Sequence, residues 1–145
     1  MTIQDICQRD VDTCMAHESV QVAAQRMNAR AVGTLVVIDS EVRPIGILTD
    51  RDIAIRAVGL GRDAHRTAVT EIMTPDVETV REHNEVESTL ALMRANAIRR
   101  LPVVNDQGQL VGVVSLDDIL TLLAREFQEL GRLLSKEKPK YQANL

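Results

Sequence analysis

The chain has 145 residues, a mass of 16.1 kDa and a formal net charge of −4. This length excludes a multidomain enzyme, because single domains usually contain about 100–200 residues. With 45% apolar and 26% charged residues the composition is that of a soluble globular protein, and no apolar run approaches the roughly 18 residues of a membrane span. An aromatic content of 1% and a pI near 5.4 argue against a nucleic-acid partner.

The cysteine pattern bears on location and on metals. Cys7 and Cys14 form no Cys-x-x-Cys motif, and the first ten residues lack the basic start and apolar run of a secretory signal. We therefore expect a cytoplasmic protein with reduced thiols. Cys14-x-x-His17 is only a weak metal pattern in a chain with two cysteines and three histidines, so we predict no metal site.

An internal repeat organises the chain. Residues 3–54 align without a gap with residues 69–120 at a constant offset of 66, the separation of Gly46 from Gly112. Fourteen of the 52 aligned positions are identical, which indicates a duplication. We predict repeat 1 in residues 1–58, a connection in 59–68, repeat 2 in 69–125, and a helical extension with a tail in 126–145.

Each repeat begins with an extended piece and a helix. In repeat 1, Val11–Cys14 is followed by apolar residues at helical spacing, with Ser19 placed to cap the helix. In repeat 2, Val77–Val80 precedes a similar pattern, in which Asn84 and Glu87 have the spacing of a capping box.

A hairpin and a second helix follow in both copies. The strands are short β-branched runs joined by polar turns: Leu35–Ile38 with Ile45–Leu48, and Leu101–Val104 with Leu110–Val114. The second helix of repeat 1 is predicted from Asp50 to about Val58, and that of repeat 2 begins at Leu116. The fold class is therefore α/β (α+β), with two β-α-β-β-α repeats. One repeat alone buries too little surface, so we expect the two to pack sheet to sheet about a pseudo-twofold axis, with ligand-sized clefts where they meet.

The sharpest repeated motif follows the second hairpin strand, at residues 46–52 (GILTDRD) and 112–118 (GVVSLDD). In each copy a hydroxyl precedes a carboxylate by three residues at a helix start, namely Thr49 before Asp52 and Ser115 before Asp118. Such a carboxylate can accept hydrogen bonds from a ribose diol, while the hydroxyl and the free helix amides face a phosphate. The same spacing fits a capping box, and the two interpretations share atoms.

Three arginines are candidate phosphate contacts. Arg99 and Arg100 precede a strand, and paired guanidiniums beside a cleft suit a phosphate. They are equally compatible with solvated loop residues. Arg51, inside the first acidic motif, is either a third phosphate contact or a surface ion pair with a neighbouring aspartate.

The region after Asp118 predicts a long amphipathic helix, with apolar residues recurring through Leu134. It can pack on its own domain or form a dimer contact, and we favour the dimer. No Gly-x-Ser-x-Gly, His-Glu-x-x-His, Walker or Gly-x-Gly-x-x-Gly motif is present, so we predict no catalytic activity.

Taken together, these features resemble the tandem cystathionine-β-synthase (CBS) repeat, or Bateman module, of the small stand-alone bacterial type. The resemblance covers roughly residues 1–125 and rests on Thr70–Thr74 (TEIMT), Leu101–Val104 (LPVV) and the twice-repeated Gly-h-h-Thr/Ser-x-x-Asp motif, where h is apolar. It implies a regulatory module that binds AMP, ADP, ATP, NAD or S-adenosylmethionine between the repeats, with no catalysis, no obligatory cofactor and frequent homodimers.

The resemblance also implies residue roles. Asp52 and Asp118 would bind ribose hydroxyls, with Thr49 and Ser115 near ribose or phosphate. The implied adenine pockets comprise Val11, Thr13, Val77, Thr79 and Ile98, and the implied phosphate contacts are Arg99 and Arg100. Gly33 and Thr34 replace these arginines in repeat 1, so we expect unequal affinities. The alternative function is a ligand-free dimeric scaffold acting through its C-terminal helix on an unidentified partner.

Overall fold

A computed structural model describes residues 1–136. The tail predicted beyond that point lies outside the described residues. Repeat 1 contains β1 (Thr13–Met15), α1 (Val20–Arg30), β2 (Thr34–Ile38), β3 (Pro44–Thr49) and α2 (Asp50–Asp52). Repeat 2 contains β4 (Thr74–Pro75), β5 (Val80–Arg81), α3 (Val86–Asn96), β6 (Arg100–Val104), β7 (Leu110–Ser115) and α4 (Leu116–Lys136). The predicted mixed fold of two related repeats is confirmed.

The two sheets have the same internal pattern. One has the strand order β1-β2-β3-β4, the other β5-β6-β7. In each sheet the first strand is parallel to the second, and the second and third form the antiparallel hairpin. Leu35 lies opposite Leu48, and Leu101 lies opposite Val114, at equivalent positions of the two hairpins. All four side chains are fully buried, so the predicted apolar runs supply the inner face of each sheet.

The N-cap predicted for the first helix is confirmed in repeat 1, and the one predicted in repeat 2 is wrong. The Ser19 hydroxyl accepts a hydrogen bond from the Val22 amide at 3.2 Å, as predicted for α1. The capping box predicted from Asn84 is wrong, because the N-cap of α3 is Glu85 and makes no side-chain cap bond. Asn84 instead lies in the preceding turn, where its amide donates to the Arg81 carbonyl at 3.0 Å.

The second helix of repeat 1 is less regular than predicted. One α-helical turn, α2, continues into a π-helix at Ile53–Ala57 and a 3₁₀ turn at Val58–Leu60. The wider π-helical turn keeps residues four apart on one face, and Ile53 and Ala57 both contact the core of repeat 1. The prediction of a continuous helix to Val58 is therefore right in extent and wrong in type.

Each repeat begins with a lead-in segment, residues 3–12 in repeat 1 and 69–78 in repeat 2, and the first part of each segment packs in the core of the other repeat. Ile3, at the start of repeat 1, is fully buried in the core of repeat 2, whereas Val69 and Ile72 belong to the core of repeat 1. The Ile3 amide donates to the Asn84 carbonyl at 2.9 Å, and the equivalent Val69 amide donates to the Glu18 carbonyl at 2.9 Å. The pseudo-twofold relation thus includes the crossing segments, and each core is completed by the other repeat.

Helix α4 extends beyond the packed part of the fold. Ile119, in its second turn, is buried, but every residue from Leu123 to Lys136 is exposed. Within residues 1–136, no helix combines the length and apolar character that a membrane crossing requires.

Candidate functional site

Two clefts lie where the repeats meet, as the sequence predicts. Cleft 1 has a volume of about 440 Å³ and cleft 2 of about 760 Å³, both within the usual range of small-molecule sites. Residues of both sheets line them, among them Ile47 on β3, which lines both, and Val113 on β7, which lines cleft 1. The sheets therefore face each other across the clefts.

Each cleft combines the lead-in of one repeat with the hydroxyl motif of the other. Cleft 1 is lined by residues 10–12 of repeat 1 and by Ser115 and Asp118 of repeat 2. Cleft 2 is lined by residues 76–78 of repeat 2 and by Thr49 of repeat 1. A ligand in either cleft would contact both repeats, so its binding depends on how the repeats are arranged.

The hydroxyl–acid motifs form capping boxes in both repeats. The Thr49 amide donates to Asp52 Oδ2 at 2.9 Å, and the Asp52 amide donates to the Thr49 hydroxyl at 3.1 Å. The corresponding distances for Ser115 and Asp118 are 2.8 and 3.1 Å. The capping interpretation left open by the sequence is therefore correct, and it leaves one carboxylate oxygen of each aspartate for another partner.

That second oxygen has different surroundings in the two repeats. Asp118 Oδ1 accepts a 3.2 Å hydrogen bond from the Gln8 side-chain amide, and both residues line cleft 1. Asp52 Oδ1 lies 3.8 Å from Arg56 Nε, and Asp52 does not line cleft 2. The acid of repeat 2 thus lines a cleft, whereas that of repeat 1 lines neither.

The predicted phosphate contacts are only partly brought together. Arg99 and Arg100 both line cleft 2, and Arg100 lines cleft 1 as well. Arg51 lines neither cleft; its exposed side chain has no ion pair with a carboxylate among residues 1–136.

The predicted adenine-pocket residues divide in the same way. Val11 lines cleft 1, and Val77 and Ile98 line cleft 2. Thr13 and Thr79 line neither; Thr13 is the first residue of β1, paired with Val36 of β2. Part of the apolar surface of each cleft thus comes from residues next to the strands, and part from strand residues such as Ile47.

Charge distinguishes the clefts. In cleft 1, Asp10 and Asp12 are paired with Arg30 at 2.8 and 2.6 Å. The equivalent of Arg30 in repeat 2 is Asn96, which lines cleft 2 and carries no charge. Cleft 2 instead contains the guanidiniums of Arg99 and Arg100.

The weak metal pattern does not assemble a site in the structure. Cys14 is fully buried in the core of repeat 1, and burial raises the pKa of its thiol to about 11. A buried neutral thiol is a poor ligand, since metals bind the thiolate. Among residues 1–136, no three His, Cys, Asp or Glu side chains are grouped to hold a metal ion.

Gln8 is one of the cleft residues that sequence reasoning missed. The equivalent residue in repeat 2 is Thr74, which belongs to β4 and pairs with β3. Gln8 itself forms a bridge with Val113 of β7. Both equivalent positions therefore bridge to the third strand of the other repeat, and the fold adds the contact of Gln8 with Asp118.

Comparison with known proteins identifies the family. The CBS domain model matches residues 3–59 and again 69–125. The CBS domain-containing protein YhcV of Bacillus subtilis is 37% identical over 118 residues, which are 81% of this chain and 82% of that protein. The uncharacterized protein MK0525 of Methanopyrus kandleri is 36% identical over 120 residues, 83% of this chain but only 61% of that relative.

A solved structure agrees with this assignment. The CBS domain pair of the protein MJ0100, in complex with 5′-methylthioadenosine and S-adenosyl-L-methionine, has a TM-score of 0.72 and 28% identity over 85% of this chain and 99% of that one. Two family matches in tandem, the repeated clefts and this structural similarity agree: the chain belongs to the CBS-domain family and contains a pair of CBS domains.

Proposed function

We propose that the chain is a regulatory module that binds an adenosine-containing ligand, such as AMP, ADP, ATP or NAD, in the clefts between its repeats. The observation that carries this proposal is the placement of Ser115 and Asp118 opposite the lead-in of repeat 1, inside cleft 1. Binding of adenosyl compounds by the similar CBS pair of MJ0100 supports the ligand class.

Asp118 is the ribose-binding group in this proposal. Its Oδ2 stays on the Ser115 amide, while Oδ1 exchanges the exposed Gln8 side chain for a ribose hydroxyl. The carboxylate thus keeps its capping role when ligand binds. In cleft 2, Thr49 faces the ligand, and the guanidiniums of Arg99 and Arg100 bind a phosphate. The phosphate stays paired with them at neutral pH because arginine is always charged.

The output is a change of arrangement and not a reaction. A ligand that contacts both repeats shifts the population toward the arrangement it binds better. The described residues that line the two clefts include no Cys, His or Lys. We propose that the module acts on a partner protein. We place this activity in the cytoplasm, where Cys7 and Cys14 stay reduced.

The substitution Asp118→Asn tests the ribose role. Asparagine retains an oxygen for the Ser115 amide, so the cap survives, but it presents a donor group where the ribose needs an acceptor. We expect binding of adenosine to cleft 1, measured by isothermal titration calorimetry, to weaken at least about tenfold, the loss of one hydrogen bond to a charged group. Unchanged affinity would refute the ribose role.

A capping control separates folding from binding. Asp118→Ala removes both the cap acceptor and the ribose acceptor, so it should lower the free energy of unfolding by about 1 kcal/mol, whereas Asp118→Asn should leave it nearly unchanged. Glu126→Gln, an equal change of charge on the exposed part of α4, should alter neither quantity.

A homodimer formed through α4 is the second proposal. The exposed apolar residues of α4 alternate spacings of three and four, the pattern of a helix that packs against another helix: Leu120, Leu123, Phe127, Leu130 and Leu134. A second copy supplies an identical face, as closed symmetric dimers require.

Sedimentation equilibrium tests the dimer. Phe127→Glu, in the middle of the apolar face, should convert dimer to monomer, and Gln128→Glu, the next residue and an equal change of charge, should not. A chain ending at Ala124 separates the two candidate functions: a scaffold loses its assembly and shows no nucleotide effect, whereas a sensor still binds nucleotide. A wild-type monomer would overturn the dimer proposal.

A further inference from the structure

The two clefts adjoin each other at the pseudo-twofold axis. Four side chains line both: Thr34, Ile47, Arg100 and Ser115. Arg100 is the only cationic side chain in this shared set. Any role of its guanidinium in one cleft therefore bears on the other.

The position of Arg100 leaves its guanidinium free to serve either side. It is exposed, and it has no carboxylate within 4.0 Å among the residues that the structure describes. Its Nη1 donates a long hydrogen bond, 3.5 Å, to the hydroxyl of Thr34, the equivalent position in repeat 1. The side chain thus reaches across the axis and is held there only weakly.

The remaining cations are divided unequally. Cleft 2 has Arg99 as a second guanidinium. Near cleft 1, Arg30 forms ion pairs with Asp10 and Asp12 at 2.8 and 2.6 Å. Among the described residues that line cleft 1, Arg100 is the sole cation, so a phosphate bound there depends on it.

We propose that Arg100 is a single phosphate-binding residue shared by both clefts, which couples them negatively for phosphorylated ligands. A guanidinium engaged by a phosphate in cleft 2 is withdrawn from cleft 1, and the reverse holds because coupling between two binding sites is reciprocal. Ligands without phosphate do not use Arg100, so they lack this negative coupling. This inference rests on the proposed adenosyl binding.

A thermodynamic cycle measures the coupling. Val11→Trp fills cleft 1 and Val77→Trp fills cleft 2, at equivalent positions of the two repeats. Calorimetric titration of each variant with AMP gives the dissociation constant of the one open cleft. If the clefts are independent, the product of these two constants equals the product of the two stepwise constants of the wild type.

We expect the wild-type product for AMP to be about tenfold larger than the single-cleft product, a usual size for coupling between sites. For adenosine the wild-type product should show no such increase, and binding of one adenosine by each tryptophan variant shows that it is folded. Adding Arg100→Ala should weaken AMP binding in both clefts and abolish the coupling. Arg99→Ala should weaken AMP binding in cleft 2 only and leave the coupling in place.

Other results separate the two proposals. Equal products for AMP, coupling that survives Arg100→Ala, or a Val77→Trp variant that binds adenosine but gains nothing from the phosphate of AMP would each overturn the shared role. Failure of the wild type to bind either adenosine or AMP would instead refute the proposed function, and the coupling with it.

Discussion

At the scale of single residues, the two carboxylate oxygens of Asp118 have different partners. Asp118 Oδ2 caps the start of α4, and Oδ1 faces cleft 1 with Gln8 as its partner. The capping bond fixes the direction of the side chain, so the second oxygen is oriented before ligand arrives. Capping and binding are thus compatible at this position, which is why spacing alone could not decide between them.

A second residue-scale feature is the strained turn of the first hairpin. Val42 has φ of +64°, and the equivalent Gly108 in the second hairpin has φ of +78°. Glycine tolerates this region, whereas a β-branched residue does not. We expect Val42→Gly to raise the free energy of unfolding by roughly 0.5–1 kcal/mol, measured by urea denaturation, since the half-exposed side chain loses little packing.

The reverse substitution is its control. Gly108→Val introduces the same strain at the equivalent turn and should lower stability by about 1–2 kcal/mol. A Val42→Gly variant that is less stable than the wild type would contradict this account of the turn.

The Glu18–Arg26 pair gives a pH prediction. The bidentate contact with Arg26, at 2.8 and 3.0 Å, holds the pKa of Glu18 below its usual value. A lowered pKa in the folded state contributes stability above the unfolded pKa, near 4.3, and this contribution is lost as pH falls through the folded value. Because both side chains are partly exposed, Glu18→Gln should cost only about 1 kcal/mol at pH 7.

The measurement is the free energy of unfolding of both proteins from pH 7 to pH 3. We expect the difference between wild type and Glu18→Gln to shrink toward acidic pH. Glu126→Gln, which removes an exposed carboxylate that has no ion pair among residues 1–136, should show no such trend. A constant difference across the range would mean that the ion pair contributes nothing.

At the scale of elements, the repeated glycines mark where crossing segments meet the third strands. A Cβ on Gly112 of β7 would lie 2.9 Å from Cys7 Sγ and from the Gln8 carbonyl oxygen. A Cβ on Gly46 of β3 would lie 2.6 Å from Met73 Sδ. The glycine therefore lets the lead-in of the other repeat approach the sheet closely.

Adding a methyl group at this contact should loosen it. We expect Gly112→Ala to lower the free energy of unfolding by about 1–3 kcal/mol, the usual effect of overpacking. Gly131→Ala is the control, because no atom lies within 4 Å of a Cβ there and alanine favours a helix. Equal stability of Gly112→Ala and wild type, by urea denaturation, would show that the approach is not tight.

How far the elements could be predicted depends on which interactions form them. The hairpins and α1 follow from local patterns and a local cap, so sequence predicted them. The start of α3 does not follow from local patterns. Asn84 lies in a turn, and its carbonyl accepts a hydrogen bond from the amide of Ile3, a residue distant in sequence. For the same reason the contact between Gln8 and Asp118 could not be predicted: it depends on the exchange of lead-in segments.

At the scale of the whole molecule, that exchange makes each core depend on both repeats. Ile3 of repeat 1 is buried in the core of repeat 2, and Ile72 of repeat 2 in the core of repeat 1. Unfolding one repeat therefore removes part of the other's core. We expect a single cooperative transition.

Matched truncations test this cooperativity. Ile3→Ala and Ile72→Ala should each lower stability by about 2–5 kcal/mol, as for other buried large-to-small substitutions. Both should shift one transition, with calorimetric and van't Hoff enthalpies in agreement. Two resolved transitions would show that the repeats fold separately, if Ile3→Ala lowers the midpoint of only one of them.

Thermal unfolding of the initially ligand-free protein, repeated with added ligands, shows whether the clefts bind adenosine-containing compounds. The panel is adenosine, AMP, ADP, ATP, NAD, S-adenosylmethionine and GTP. A ligand at 100 times its dissociation constant adds about 2.7 kcal/mol, which raises the midpoint of a domain of this size by several degrees. We predict such a rise with adenosine-containing ligands and none with GTP. No shift with any of them would contradict the sensor account and leave α4 as the functional surface.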